Sequence, residues 1–238
     1  MSRPVVVEFV GLPGAGKSTL AARLLEELEA QGYDCAGREL LRGKGGGSLP
    51  GRWHRLRFWW RHLGLVRNTA LAVMSVGAGG TEALRHATRL GRWASGFERL
   101  TNSGHQIILL DQGVVQEAWS SLFRAASGRS RLLQLLDLIL RDAPPRLAFV
   151  YCDVPLDVAL QRIATRPEGK STFDDMDQAE ARRLLASHGR DLRELFAHSV
   201  DTVQAPQLTI DTSKDLAESC RSVLDFVKVL VPTGAKRA

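Results

Sequence analysis

The stretch "VVVEFVGLPGAGKSTLAARLLEEL", residues 5–28, joins a strand pattern to a helical pattern through a glycine-rich turn. The run Val5–Val10 is rich in β-branched and aromatic residues, which is typical of a strand that is buried on both faces. Lys17–Gln31 carries leucines on one stripe and is followed by Gly32, which is typical of a helix and its end. The turn therefore leads from a buried strand into a helix.

The turn Gly11–Ser18 has the spacing Gly-x4-Gly-Lys-Ser of a phosphate-binding loop. Its glycines allow successive N–H groups to point at one anion, and the helix adds the positive end of its dipole. We expect Lys17 to reach the β- and γ-phosphates, Ser18 to bind Mg²⁺ and Thr19 to touch the α-phosphate. The residues predicted to bind ATP here are Gly11, Pro13, Gly14, Ala15, Gly16, Lys17, Ser18 and Thr19.

Length and composition indicate one large domain. The chain has 238 residues, of which 44% are hydrophobic and 24% charged, values that are ordinary for a globular protein. The net charge of +6 favours anionic ligands. The cysteines are far apart and lack the spacing of metal ligands, so we expect reduced thiols. No secretory signal or membrane-spanning run is evident, so we expect a cytoplasmic protein without a transmembrane segment.

Strand and helix patterns alternate along most of the chain. Four further runs have strand character: Tyr33–Arg38, His105–Leu110, Arg146–Cys152 and Gln207–Ile210. This alternation predicts an α/β protein with the P-loop NTPase fold, in which a five-stranded parallel sheet carries helices on both faces. We expect a helical acceptor-side insertion at about 43–101 and a helical lid at about 162–178. Ligands on such sheets bind at the carboxyl ends of the strands.

Several segments at those strand ends resemble the P-loop kinases of nucleosides and nucleoside monophosphates, and most of all thymidylate kinase. "GRELL" at 37–41 keeps the Arg-Glu pair of the family, and Asp111 matches the aspartate of its Asp-Arg pair. "DVPLDVALQRIATR" at 153–166 keeps its Asp, Pro and Arg-x-x-x-Arg, and "IDTSKDLAE" at 210–218 is similar to its segment beside the adenine. The resemblance covers most of the chain but weakens at residues 40–100.

This resemblance implies an ATP-dependent phosphotransferase that moves the γ-phosphoryl group of Mg-ATP to a small-molecule acceptor, for example a nucleoside monophosphate. The implied cofactors are ATP and Mg²⁺. It places Asp211 and Ser213 near the adenine, and Arg162 and Arg166 at the opening of a mobile lid. These arginines are four residues apart and lie on one helix face, so they can form a basic clamp on the phosphates. The catalytic residues predicted are Lys17, Glu39, Asp111, Arg162 and Arg166.

Two carboxylates have alternative interpretations. Asp111 follows an apolar strand, so it can hold Mg²⁺ together with Ser18 or accept a proton. Its alternative role is the N-cap of the next helix, and one residue can do both. Glu39 is a candidate base or a surface carboxylate, and Asp153 is expected to be the N-cap of the helix that opens with Pro155. The predicted metal ligands are Ser18 and Asp111.

The acceptor side differs from the family. Gln112 stands where the family has an arginine, so the acceptor need not be thymidine monophosphate. The segment "RWHRLRFWWRHLGLVR" at 52–67 interleaves arginines with aromatic residues and has no counterpart in the family. It is compatible with an acceptor-site wall, with a peripheral membrane or nucleic-acid surface, or with an amphipathic helix whose aromatics are in the core. We expect an anionic small-molecule partner rather than nucleic acid, and a homodimer is compatible with the sequence.

A second function is consistent with the same loop. A P-loop ATPase or nucleotide switch that acts on a protein or nucleic-acid partner also needs a carboxylate or glutamine after a strand, and "LLDQG" at 109–113 offers both. The two functions differ in what stimulates ADP release, which is a small acceptor for a kinase and a macromolecule for a switch.

Overall fold

The parallel sheet predicted from the sequence is present in a computed structural model that describes residues 3–42, 60, 93, 96–122, 129–165 and 176–232. Its strands are β1 (Val5–Gly11), β2 (Cys35–Ala36), β3 (Ile107–Leu110), β4 (Leu147–Asp153) and β5 (Gln207–Asp211). The order is β2-β3-β1-β4-β5, and every neighbouring pair is parallel. The strand that leads into the phosphate-binding loop is therefore at the centre of the sheet.

Helices cover both faces of this sheet. They are α1 (Lys17–Ala30), α2 (Glu39–Arg42), α3 (Val114–Leu122), α4 (Arg129–Arg141), α5 (Leu156–Ala164), α6 (Gln178–Val203) and α7 (Leu216–Leu230). Helices α1 and α7 pack on one face, whereas α3, α4 and α6 pack on the other. None of the helices in the described part of the chain is long and apolar enough to cross a membrane.

Strand β1 contributes to both layers of the core. Val6 and Val10 are fully buried among residues of α3, α4 and α6, whereas Val7 and Phe9 are fully buried among residues of α1 and α7. A central parallel strand is covered on both sides, so its side chains are apolar in nearly every position. The prediction of a doubly buried strand is confirmed.

Strand β2 is shorter than predicted. The pattern predicted Tyr33–Arg38, but only Cys35 and Ala36 pair with β3. The Gly37 N–H donates to the Glu39 carboxylate at 2.6 Å instead of joining the ladder, so the chain turns away into α2. This local side-chain bond ends the strand.

Large parts of the predicted insertion and lid lie outside the described residues. They include Arg166 and all of the basic aromatic segment 52–67 except Trp60. The Trp60 side chain is 74% exposed, so this aromatic does not pack in the described core. The functions predicted for the undescribed residues stay predictions.

Candidate active site

The phosphate-binding loop depends on glycine at two positions. Gly14 and Gly16 have φ angles of 83° and 75°, in the left-handed region that glycine adopts readily. A Cβ on Gly14 would lie 2.4 Å from the Ala159 carbonyl oxygen in α5. Gly16 is the N-cap of α1 and makes no side-chain capping bond. The first amides of a helix lack intrahelical partners, so this end of α1 can bind an anion.

The Lys17 side chain folds back, so that its ammonium group lies against the start of the loop. Its Nζ donates to the Gly11 carbonyl at 2.7 Å and to the Leu12 carbonyl at 2.9 Å, and the residue is buried. Both bonds hold the charge at the loop, where the ammonium group can exchange these carbonyl oxygens for phosphate oxygens.

The two predicted metal ligands are in direct contact. Ser18 Oγ donates to Asp111 Oδ2 at 2.7 Å, because β1 and β3 are neighbours and end at the same edge of the sheet. Mg²⁺ binds oxygen at about 2.0–2.1 Å in octahedral geometry, so two adjacent ligands lie about 2.9 Å apart. The observed spacing fits one such ion. No group of three or more His, Cys, Asp or Glu in the described residues could hold a metal. A Mg²⁺ ion here would keep waters and nucleotide oxygens as its other ligands, as it usually does.

A buried carboxyl group that the sequence prediction missed lies beneath this pair. Glu8 in β1 is completely buried, and its carboxyl oxygens accept hydrogen bonds from the N–H groups of Val114, Val115 and Gln116 at 3.1, 2.8 and 3.3 Å. Burial raises the pKa of Glu8 to about 8, and the three amides and Arg38 oppose this rise. The only sequence signal is one acidic residue within an apolar strand.

These contacts correct the predicted start of the next helix. The helical pattern at 112–126 predicts a helix from Gln112, with Asp111 as a possible N-cap, but α3 begins at Val114. The Glu8 carboxyl group accepts hydrogen bonds from the N-terminal amides of α3. The Asp111 carboxylate accepts from Ser18 instead. Asp111 and Gln112 therefore stand in a non-helical turn at the carboxyl edge of the sheet.

On the other side of this turn, the segment between β2 and α2 contributes a cation. The Arg38 guanidinium donates to the Gln112 side-chain oxygen, so positive charge is present beside the position where the thymidylate kinase pattern has an arginine. Glu39 is exposed, and its carboxylate accepts from the Gly37 N–H. The structure thus groups Arg38 with Gln112 and turns Glu39 toward its own loop.

Arg162 in α5 connects the phosphate-binding loop to the turn after β5. Its Nη2 donates to the Thr212 carbonyl at 2.9 Å, and its Nη1 lies 3.5 Å from the Gly14 carbonyl oxygen. Asp211 accepts from the N–H and Oγ of Ser213 at 2.9 and 2.6 Å, and these bonds lower the pKa of Asp211. Arg162, Asp211 and Ser213 therefore lie around one edge of the loop.

Asp153 does not cap α5 as predicted. The N-cap is Pro155, and Asp153 Oδ1 instead accepts from the Val154 N–H at 3.1 Å and from Arg193 Nη2 at 2.9 Å. Pro155 fixes its own φ angle at the start of α5, and no side-chain capping bond is made there. Asp153 and Arg193 line a cavity of about 680 Å³ that also reaches Leu12 of the phosphate-binding loop.

The sheet order and the loop after β1 define a P-loop protein of the α/β class. Among solved structures, a deoxyadenosine kinase from M. mycoides with bound dCTP is similar, with a TM-score of 0.52 and 14% identity over 94% of this chain and 99% of that chain. The structure of this kinase with bound dATP has a TM-score of 0.53 and 13% identity, over 94% of this chain and 99% of that chain. A shikimate kinase from Acinetobacter baumannii gives only 0.45, with 19% identity over 95% of this chain and 94% of that chain.

At these identities, the similarity to the deoxyadenosine kinase shows the fold alone. No family model matches this chain, and no curated protein sequence matches it. The function must therefore be argued from the site itself.

Proposed function

We propose that this protein is an ATP-dependent phosphotransferase that moves the γ-phosphoryl group of Mg-ATP to a small-molecule acceptor. The observation that carries the proposal is the convergence of Lys17, the Ser18–Asp111 pair and Arg162 on the loop at the tip of the central strand. A phosphoryl-transfer site needs positioning and positive charge more than covalent chemistry. The three cysteines are buried free thiols, which suits the reducing cytoplasm that we propose as its location.

The nucleotide would bind across the N-terminal end of α1. Backbone N–H groups of Gly14 to Thr19 would hold the phosphates, and Lys17 would exchange its two carbonyl contacts for β- and γ-phosphate oxygens. Ser18 and Asp111 would hold Mg²⁺, which neutralises charge on the phosphates when it is bound. The turn at Asp211–Ser213 would lie beside the base, with Arg162 between base and phosphates.

In the transfer step, an acceptor oxygen attacks the γ-phosphorus while the bond between this phosphorus and the β,γ-bridging oxygen breaks. ADP leaves with the bonding electron pair, and the proton of a hydroxyl acceptor passes to the carboxylate of Asp111 or Glu39. Lys17 and Arg162 stabilise the charge that spreads over the γ-phosphate oxygens. We also propose that Arg166 completes this clamp when the lid closes and excludes water.

The acceptor is proposed to be anionic, and the motifs shared with thymidylate kinase make a nucleoside monophosphate the first candidate. Arg38, which is bonded to Gln112, supplies a positive charge on the acceptor side of Asp111. The arginines and aromatics of 52–67 are proposed to form the far wall of this site. A bidentate arginine would suit a phosphate or carboxylate group on the acceptor.

The test is ADP release from Mg-ATP in the presence of a panel of nucleosides, nucleoside monophosphates, sugar phosphates and aminoglycosides. We expect an anionic acceptor to stimulate release and to gain one phosphoryl group by mass. Lys17→Ala should abolish the signal, whereas Lys228→Ala, which removes the same charge at the C-terminal end of α7, should retain it. Release that only a protein or nucleic acid stimulates would support the nucleotide-switch function instead.

A further inference from the structure

Glu8 is a carboxyl group in the least favourable place for one, the middle of the central strand. It is completely buried, and burial of an ionisable group is costly unless partners compensate it. Its partners are three successive amides of α3, at the positive end of the helix dipole. Glu8 therefore caps α3 from a strand that lies 106 residues earlier in the chain.

The packing between β1 and the start of α3 leaves no space for a side chain at Gly113. A Cβ on Gly113 would lie 2.0 Å from Cδ of Glu8, so the turn before α3 rests directly on the carboxyl group. Gln116 adds a second connection, because its Oε1 accepts from the Gly11 N–H at 3.4 Å. Helix α3 is thus tied both to the middle of β1 and to the first residue of the phosphate-binding loop.

Because of this arrangement, Asp111 does not cap α3. Helices commonly take their N-cap from a nearby Asp, Asn, Ser or Thr, and Asp111 stands close to the start of α3. Because Glu8 already accepts the helix amides, the Asp111 carboxylate faces Ser18. The position of Asp111 therefore depends on a side chain that does not itself touch Ser18.

We infer that Glu8 is a positioning residue that holds the turn at 111–113 so that Asp111 and Ser18 together can bind the metal of Mg-ATP. This inference rests on the proposed function. Residues that orient metal ligands through hydrogen bonds typically change metal affinity about 10–100-fold when they are substituted. Loss of Glu8 should therefore affect the Mg²⁺-dependent part of nucleotide binding more than the part that depends on the loop alone.

The test measures the affinity of the full-length protein for a fluorescent N-methylanthraniloyl ATP, with Mg²⁺ and with EDTA. In the wild type, Mg²⁺ should tighten binding. Glu8→Met fills a similar volume but accepts no hydrogen bond, so the tightening should fall about tenfold or more, as it should in Asp111→Asn. Glu8→Gln keeps one carbonyl oxygen for two of the amides and should lose less. Affinity in EDTA should change little in each variant.

Two further variants separate positioning from stability. Gly113→Ala pushes on the Glu8 carboxyl group from the other side, so it should reproduce the loss of Mg²⁺-dependent tightening. Val6→Ala creates a cavity on the same strand and the same face without touching the amides of α3, so it should destabilise the fold and keep the Mg²⁺ effect. If Glu8→Met fails to fold, the Mg²⁺-dependent tightening is compared between Val6→Ala and the two variants Glu8→Gln and Gly113→Ala. A loss of tightening in Glu8→Gln and Gly113→Ala, but not in Val6→Ala, supports the positioning role.

The outcomes are distinct. A wild type that binds no ATP analogue overturns the proposed function and with it this inference. A wild type with a Mg²⁺ effect that survives in full in the Glu8 and Gly113 variants overturns the positioning role and leaves the proposed function standing.

Discussion

Lys17 is the residue on which the proposed chemistry depends most directly. Its ammonium group is held by two loop carbonyls at 2.7 and 2.9 Å, so its charge is already in place before a phosphate arrives. Lys17→Ala should lower kcat by about 10²-fold or more, because removal of one preorganised donor to a developing charge typically costs this much. Steady-state kinetics check this, and near-normal turnover would contradict the assignment of the loop. Lys17→Arg is the matched control, which keeps the charge but changes its reach.

Substitution of Arg166 tests the basic clamp that Arg162 and Arg166 are proposed to form on the phosphates. If it acts on the γ-phosphoryl group only when the lid closes, Arg166→Ala should lower kcat at least about tenfold and change the KM for ATP little. Arg166→Lys should recover part of the rate, since the charge remains while the two-pronged geometry is lost. A pure increase in KM would show that this arginine only binds nucleotide.

The sequence predicted the glycine turn after β1, because the spacing of Gly14, Gly16 and Lys17 determines local backbone geometry. Nucleotide binding by these residues stays a prediction. It left the choice for Asp111 open, since a carboxylate after a strand can be a ligand or a cap. Glu8 was not predicted at all, because the amides that it binds belong to residues more than 100 positions later. Contacts of this kind depend on strand order, which a local pattern does not contain.

At the scale of elements, the phosphate-binding loop is wedged against α5 at Gly14. Gly14→Ala would combine a strained backbone with a Cβ 2.4 Å from the Ala159 carbonyl oxygen. It should therefore lower the free energy of unfolding by more than the ~1–2 kcal/mol that a left-handed alanine costs, and it should abolish ATP binding. Urea unfolding and nucleotide titration measure the two effects.

Gly32 offers a matched control for that experiment. Its φ angle is 85°, but no atom of the described residues lies within 4 Å of a Cβ placed there, apart from those of Gly32 itself and its two chain neighbours. Gly32→Ala should cost only ~1–2 kcal/mol from the backbone and leave ATP affinity unchanged. Equal losses of stability in the two variants, or retained binding in Gly14→Ala, would contradict the importance of the loop–α5 contact.

Element boundaries were predicted best where local signals dominate. The apolar pattern at 216–230 predicts a helix, and α7 lies at Leu216–Leu230. Strand β2 was overestimated because the Glu39 carboxylate captures the Gly37 N–H. The start of α3 was misplaced because its cap comes from β1. In both cases a side-chain carboxylate outside the apolar pattern decided where the element starts or stops.

For the molecule as a whole, Glu8 predicts how stability depends on pH. Its pKa is raised from 4.5 to about 8 in the folded protein, so the folded state keeps a proton that the unfolded state loses near the ordinary value. The resulting contribution to stability is complete below pH ~4.5 and is lost as the pH rises to ~8. The wild type should therefore lose stability relative to Glu8→Gln between these values, as measured by urea unfolding across that range. A difference that stays constant with pH would contradict this assignment.

The order of the strands also has a consequence for how the chain is made. Strand β1 leaves the ribosome first, yet Val5 pairs with Ile107 and Val6 with Leu147. At about 5–20 residues per second, the 102 positions between Val5 and Ile107 correspond to roughly 5–20 s of synthesis. During that interval the nascent strand has neither neighbour, and the Glu8 carboxyl group stays hydrated. A nascent chain stalled before residue 107 would carry every residue of the phosphate-binding loop without the sheet that gives the loop its shape.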